Sequence, residues 1–595
     1  MIEKNLQKLK PLNIKDFVSS SMGSIPYDLI IENVLIVNIL TDEIYHSDIG
    51  IIDGYIVNIS ESLNGKQSKK RVDGNGKYAV PGYIDCHMHL ESSMLKPSEF
   101  AKSIISLGTV SLVADPHEIA NVLGKKGVIE LQRICKTLPL TIDIMVPSTV
   151  PSAPGFENSG AEITSDDIED LFDNYSFSGL GEVMDFNGVV ESDPKMLSII
   201  KAARERDKII DGHSSILSGD KLQSFIASGI TSDHTIMTPT SVLEKLRLGM
   251  WVQIQERFIT QELMSFLNNF PVQDRIIIVT DDVPAGRLNK AGHLNGLLTK
   301  AVSYGLSPFK AIRYVTLNPA TRMQKEHQGI IAPDAKADIL LLNNLEDFTP
   351  SDVFIDGKLV AKNKKIMIDI PESKFDSFCF DTMNMKNIVT SDFNIFCKDR
   401  NCTSVKVNVI EQDGKTTRTI KKIMQCDVKN GIVENNGLMK MSVFNRYSGN
   451  NEHYSCFISN VGKFKGALAT TYSHDCHNLV VYSSNNEDAT IASNKIISSG
   501  GGIVAVLDGE VIGFLPLPIA GLLSNENKEV VFSMYNEISD LAKNVMKLDH
   551  EAPLNFITLM ALAVSPEIKL TNKGLLDVVN KKFIPVVIEP SKEIK

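Results

Sequence analysis

From residue 27 the chain runs in short apolar stretches separated by turn residues. Tyr27-Asp-Leu-Ile-Ile, Val34-Leu-Ile-Val-Asn, Ile49-Gly-Ile-Ile and Tyr55-Ile-Val-Asn-Ile each read as a strand. Asp53-Gly54, between the last two, is a hairpin signal. Residues 1–25 read as a short polar helix followed by a Ser-rich loop. The opening is therefore a small β unit.

From Val80 the rhythm changes. Short apolar strands alternate with helical stretches at Tyr83–Asp85, Val110–Ala114, Ile142–Val146, Gly179–Glu182, Ile209–Asp211, Ile230–Asp233, Val252–Ile254 and Ile276–Thr280. Alternating strand and helix predicts a parallel α/β arrangement, and this many repeats predict a TIM-like (β/α)8 barrel. Strand character returns in Gly329–Leu342 and Val353–Val360, which can complete the opening β unit as one domain built from two segments. The expected division is 1–80 for the N-terminal segment and first part of that unit, 81–328 for the barrel and 329–365 for the second part. A linker then covers 366–390, and 391–595 forms a further region of short strands with later helices. Gly500-Gly-Gly502 reads as a turn, since no P-loop lysine follows, and Trp251 as barrel packing.

Composition narrows the class. With 595 residues, 43% hydrophobic and 22% charged, the chain has the makings of several globular cores. A net charge of -11 argues against nucleic acid as the main partner and is compatible with a small neutral substrate. No run approaches the roughly 18 apolar residues of a spanning helix, and Met1 to Lys10 carry no apolar export signal. The 8 cysteines are scattered and form no CxxC, which predicts reduced thiols, a cytoplasmic setting and no Cys-based zinc knuckle. A homodimer is expected from the base rate for enzymes of this size.

The chemistry lies where the candidate strands end, the place at which barrel enzymes gather their reactive groups. The first strand ends in His87-Met-His89, and residues two apart in an extended segment share a face, so both imidazoles can reach one metal. Later ends carry Asp115-Pro-His117-Glu118, Gly181-Glu182, Asp211-Gly-His213, Asp233-His234 and Thr280-Asp281-Asp282. Any one of these has an ordinary reading as a cap or packing residue. Together they make the ligand set of a one- or two-metal hydrolytic site, in which imidazole and carboxylate donors suit Zn, Fe or Mn alike. A carboxylate such as Glu182 can bridge two cations, Asp281 can bind metal and shuttle a proton, and Glu118 can deliver a proton to a substrate ring. Asp115, His117 and Asp282 are candidate substrate contacts. His474-Asp475-Cys-His477 reads either as a second metal site or as a loop covering the pocket.

These strings resemble the adenine deaminase family of metal-dependent amidohydrolases. Pro81–Met94 looks like its first-strand signature and Asp115–Val122 its second. Gly181-Glu-Val-Met, Asp211-Gly-His with Leu217-Ser-Gly219, Ser232-Asp-His234 and Thr280-Asp-Asp282 follow in the family's order. His474–Val480 and Leu515–Leu522 resemble its C-terminal domain, so the likeness covers roughly 27–585. The resemblance implies an amidohydrolase barrel, a composite β-sandwich from both flanks and an added C-terminal α+β domain. It implies hydrolysis of adenine to hypoxanthine and ammonia at a binuclear centre, with Mn2+ or Fe2+ expected and Zn2+ a further candidate. By motif match, His87, His89, Glu182, His213, His234 and Asp281 would be the metal ligands, and Asp281 and Glu118 the proton-transfer residues; Gly292-His293 resembles a family motif near the last strand, which makes His293 a further candidate substrate contact. Three strings depart from the family pattern: Thr235, Gln255-Glu-Arg-Phe258 and Val283-Pro-Ala-Gly286. Because they adjoin the strand ends, they leave open a relative acting on another purine or cyclic amide. A catalytically silent purine-binding protein is the third reading.

Overall fold

The computed structural model describes residues 14–399, 402–414 and 418–588. The expected opening helix is met by Ile14–Ser21, and its earlier part lies outside the described residues.

The two flanks of the chain share one sheet. Ile339–Leu342 runs antiparallel to Tyr78–Pro81, with Leu340 opposite Val80, and joins strands from residues 27–81 to strands from 339–366. The alternation seen in the sequence explains its two faces. Ala79, Ile339 and Leu341 point into a core of their own with Ile31, Ile36, Ile49 and Ile51. Val80, Leu340 and Leu342, one residue out of phase, pack on the main core of the molecule. The Asp53-Gly54 hairpin is present, with Ile52 opposite Tyr55 and both turn residues at positive φ (48° and 83°).

The central region is a succession of parallel strands with helices between them. Tyr83–His89 pairs with Thr109–Ala114, which pairs with Thr141–Ile144. A parallel bridge from Val146 to Leu180 reaches Gly179–Val183, which pairs with Ile209–Gly212. Thr231 donates its N–H to the Ile210 carbonyl at 3.1 Å, leading to Ser232–Asp233, Trp251–Ile254 and Ile276–Ile278 in parallel register. Asp281–Asp282 then pairs in parallel with Met88 and His89 of the first strand. Tyr83–His89, Thr109–Ala114 and Gly179–Val183 are buried along their whole length, as parallel strands covered by helices are.

The remainder is built around a ten-stranded sheet and a three-stranded one, with the helix Asn486–Ser498 packed on the former. The polar stretch leading to it is strapped to the central region. Ser98 donates its N–H to Ser373 Oγ at 2.8 Å, and Asp376 donates its N–H to Glu130 Oε1 at 2.8 Å. Among the described residues no helix is long and apolar enough to cross a membrane.

Candidate active site

His87 and His89 leave the same face of the first strand, and both are buried, while Met88 between them points into the core. Glu182, on Gly179–Val183, lies at the middle of the imidazoles. Its Oε1 is 3.3 Å from His89 Nε2 and 3.5 Å from His117 Nε2. Its Oε2 is 2.6 Å from His213 Nδ1 and 3.2 Å from His234 Nε2. Asp281 Oδ1 sits 3.1 Å from His89 Nε2 and 3.6 Å from His87 Nε2. Asp281 adopts the left-handed backbone region (φ 57°), a conformation that a side chain holds when its surroundings over-determine it. Donor atoms of His87, His89 and Glu182, of His87, His234 and Asp281, and of Glu182, His213 and His234 lie in each case within 4.8 Å of one another.

This donor set fits a divalent cation. His89 Nδ1 lies 2.9 Å from the Asp115 carbonyl, which only an N–H can satisfy. The Nε2 lone pair of a neutral ring then faces two carboxylate oxygens, and only positive charge makes that arrangement favourable. His87 Nε2 is buried with no hydrogen-bond partner. Burial lowers the proton affinity of His89, yet Asp281 and Glu182 together hold it well above the ordinary histidine value. The cluster therefore demands cationic charge.

Buried groups behind the cluster hold it in place. Asp211 Oδ2 lies 3.5 Å from His87 Nδ1, while its Oδ1 takes Arg322 and the Ser232 hydroxyl (2.9 Å). Burial would raise the Asp211 carboxyl, but Arg322 and His87 bring it down to about 2. Asp115 Oδ2 accepts the Glu182 N–H at 2.7 Å. A Cβ on Gly181 would meet that carboxylate at 2.2 Å, so only glycine admits it. Lys245, 2% exposed, donates to Asp233 Oδ2 and to the Thr235 carbonyl, both at 2.6 Å. Lys245→Met is expected to leave Asp233 as an uncompensated buried charge and to cost about 3–5 kcal/mol, read as a lower thermal unfolding midpoint. An unchanged midpoint would mean that the pair does not support the His234 turn.

Glu118, on the helix His117–Cys135, is fully buried beneath residues from the far end of the chain. His474 Nδ1 is 2.7 Å from its Oε1, the Tyr472 hydroxyl donates to the same oxygen at 3.3 Å, and His477 Nε2 hydrogen-bonds Oε2. Burial alone would raise this carboxyl; the facing His474, His117 and His477 hold it well below the usual range. Beside it opens a cavity of about 280 Å³, lined on one side by Gln255, Glu256, Asp281, Asp282 and Arg287 and on the other by Tyr472, His474, Tyr535 and Thr558.

Residues 78–360 match the amidohydrolase family, and residues 416–582 match the adenine deaminase C-terminal domain. The chain is 36% identical over 588 residues to adenine deaminase of Kosmotoga olearia, covering 97% of this chain and 99% of that one. It is 33% identical to adenine deaminase of Clostridium acetobutylicum (96% and 100% covered) and 36% identical to that of Thermosipho melanesiensis (97% and 100%). The chain belongs to the adenine deaminase family.

Within that family frame, the predicted ligands His87, His89, Glu182, His213, His234 and Asp281 come together in one cluster, with His117 on its edge at 3.5 Å from Glu182. Asp282 lines the cavity. Two candidate substrate contacts are placed elsewhere. Asp115 does not line the cavity: its Oδ2 accepts the Glu182 N–H and packs against Gly181, while its Oδ1 is buried without a hydrogen-bond partner. His293 is fully buried, with Nδ1 2.9 Å from Thr109 Oγ1 and Nε2 3.5 Å from Asp85, and so props the residues behind Thr280 rather than facing the cavity. The three departures separate in the same way. Thr235 faces the scaffold, with its hydroxyl on Asp233 (2.8 Å) and on the Ser215 N–H (2.8 Å). Gln255, Glu256 and Arg257 line the cavity, as do Pro284 and Arg287, whose guanidinium pairs with Glu256. Of the His474–His477 string only His474 lines the pocket, while His474, Asp475 and His477 all lie close to Glu118. Tyr472 was not singled out by the sequence; only its proximity to His474 marked it.

Proposed function

We propose that this chain hydrolyses adenine to hypoxanthine and ammonia at a binuclear divalent-metal centre. The observation that carries the reading is the placement of Glu182, each of whose carboxylate oxygens faces a different pair of imidazoles, beside an Asp281 shared between His87 and His89. Full-length similarity to adenine deaminases supports the substrate. The cavity, near the small end of the roughly 300–1,000 Å³ typical of ligand pockets, suits a single planar base.

His87, His89, Glu182, His213, His234 and Asp281 would hold the two cations; the family likeness favours Mn2+ or Fe2+, and Zn2+ suits this N/O donor set equally. When bound, such a cation supplies a nucleophile by making water acidic enough to ionise near neutrality. Asp281, ionised and bordering the cavity, accepts the proton of the attacking water and hands it to the departing amine. Glu118, held ionised, reaches the cavity through the lining His474, whose proton affinity, against the pull of burial, it raises well above the ordinary value, and through that contact it takes part in supplying the proton gained by the substrate ring. In the same reading the parallel strands of 81–328 form a (β/α)8 barrel, supported by the pairing of Asp281–Asp282 with Met88–His89. Residues 1–80 and 329–365 form a composite β-sandwich, 366–390 a linker and 391–595 a further domain. A cytoplasmic homodimer completes the reading, with the free thiols in support of a reducing setting.

The deciding experiment is ammonia release from adenine by protein loaded with Mn2+, or with Fe2+ without oxygen. Release that a chelator abolishes is expected. A folded, metal-loaded protein that releases none would transfer the reading to another purine or cyclic amide, for which Gln255, Glu256 and Arg287 would be the responsible wall.

A further inference from the structure

Glu118 reaches its surroundings from a barrel-side helix, but its hydrogen-bond donors come from more than 350 residues away in sequence. His477 is the most constrained of them. Its backbone is left-handed (φ 52°), and its N–H donates to the Ser473 carbonyl at 2.9 Å, closing a tight turn. The Ser473 N–H in turn donates to His477 Nδ1 at 3.2 Å. A ring nitrogen that accepts a hydrogen bond carries the lone pair, so the proton sits on Nε2, the atom aimed at Glu118 Oε2. A second proton on Nδ1 would oppose the Ser473 N–H directly. Burial, joined by the charges of His474 and the buried Arg446, keeps the His477 imidazole below its ordinary value against the opposing pull of Glu118. The turn is fastened on its outer side as well: the Tyr447 hydroxyl donates to the Cys476 carbonyl at 2.6 Å, and Asn478 Nδ2 donates to the Asn158 carbonyl of the central region at 2.8 Å.

We propose that the Tyr472–His477 turn is part of the catalytic apparatus, with neutral His477 as a positioning residue that fixes the rotamer of Glu118 through a single directed N–H. Tyr472 and His474 secure the other carboxylate oxygen, and His474 is also cavity wall, so the orientation of Glu118 is transmitted to the substrate space. The C-terminal region is thereby a contributor to the reaction and more than a cover. This inference rests on the deaminase reading for what Glu118 does, and on geometry alone for what holds it.

The test uses full-length, metal-loaded protein with two readouts. His477→Phe keeps the ring shape and loses the donor; His477→Gln puts an amide N–H where Nε2 was. For deamination of adenine, His477→Phe is expected to lower kcat about 10–100-fold, the loss of one hydrogen bond to a charged group. KM and bound metal should stay near those of the parent, and His477→Gln should recover most of the loss. Added to Glu118→Gln, His477→Phe should cause no further fall, because both act through one carboxylate. The second readout needs no substrate: the thermal midpoints of the two single variants and the double should be non-additive. Full kcat in a folded His477→Phe, glutamine no better than phenylalanine, or losses that multiply would overturn the proposal. If the parent releases no ammonia from adenine, the deaminase reading fails by itself. The melting cycle still decides the turn, additive midpoints overturning it and coupled ones upholding it.

Discussion

Asp281→Asn is expected to lower kcat for adenine by up to about 10⁴-fold, the upper end of what a positioned general base contributes, while leaving fold and much of the metal in place. The substitution isolates one property. Asparagine tolerates the left-handed backbone that Asp281 adopts (φ 57°), so no conformational strain is added. The amide oxygen can still face His87 and His89, whose Nε2 atoms lie 3.6 and 3.1 Å from Asp281 Oδ1. What is lost is the capacity to accept a proton from water. Steady-state ammonia release, metal analysis and a thermal melt on one preparation separate these effects. Turnover within about tenfold of the parent would remove Asp281 from proton transfer, since that loss is below the range expected of such a base.

Glu182→Gln should strike the metal itself. The carboxylate serves both imidazole pairs, with Oε1 toward His89 and His117 and Oε2 toward His213 and His234. A glutamine must turn its NH₂ toward one pair, presenting a donor where a ligand oxygen is needed. Burial tends to raise the Glu182 carboxyl, but His234 and His213 hold it well below the ordinary range, so in the parent the negative charge is present throughout the working pH range. Removing it leaves imidazoles facing one another. Since changes to groups that merely support metal ligands already cost about 10–100-fold, loss of this carboxylate should cost more, together with metal per chain measured by elemental analysis. Glu118→Gln gives the contrast: strongly reduced turnover with metal retained. Should Glu118→Gln strip the metal instead, Glu118 would have to be reassigned as a ligand.

Much of the cluster was legible in sequence because strand geometry is local. His87 and His89 share a face by the two-residue period, and the acids and imidazoles at successive strand ends meet wherever parallel strands lie side by side. Family resemblance then named which of them are expected as ligands. Local logic says nothing of His293, which the family likeness offered as a substrate contact and which the fold sets against Thr109 and Asp85. It also could not sort the departures. Nothing in the letters distinguishes Thr235, turned to Asp233, from Gln255, turned to the cavity; the direction of a loop side chain depends on partners elsewhere.

The sequence by itself determined the alternation of strand and helix, the strand character of both flanks, and the shared face of His87 and His89, all consequences of periods of two and 3.6 residues. Tertiary structure alone decided what surrounds Glu118. A hydrogen bond between Glu118 and His477 spans 359 positions, and no periodicity along the chain encodes a contact that exists only once two separately built layers have packed.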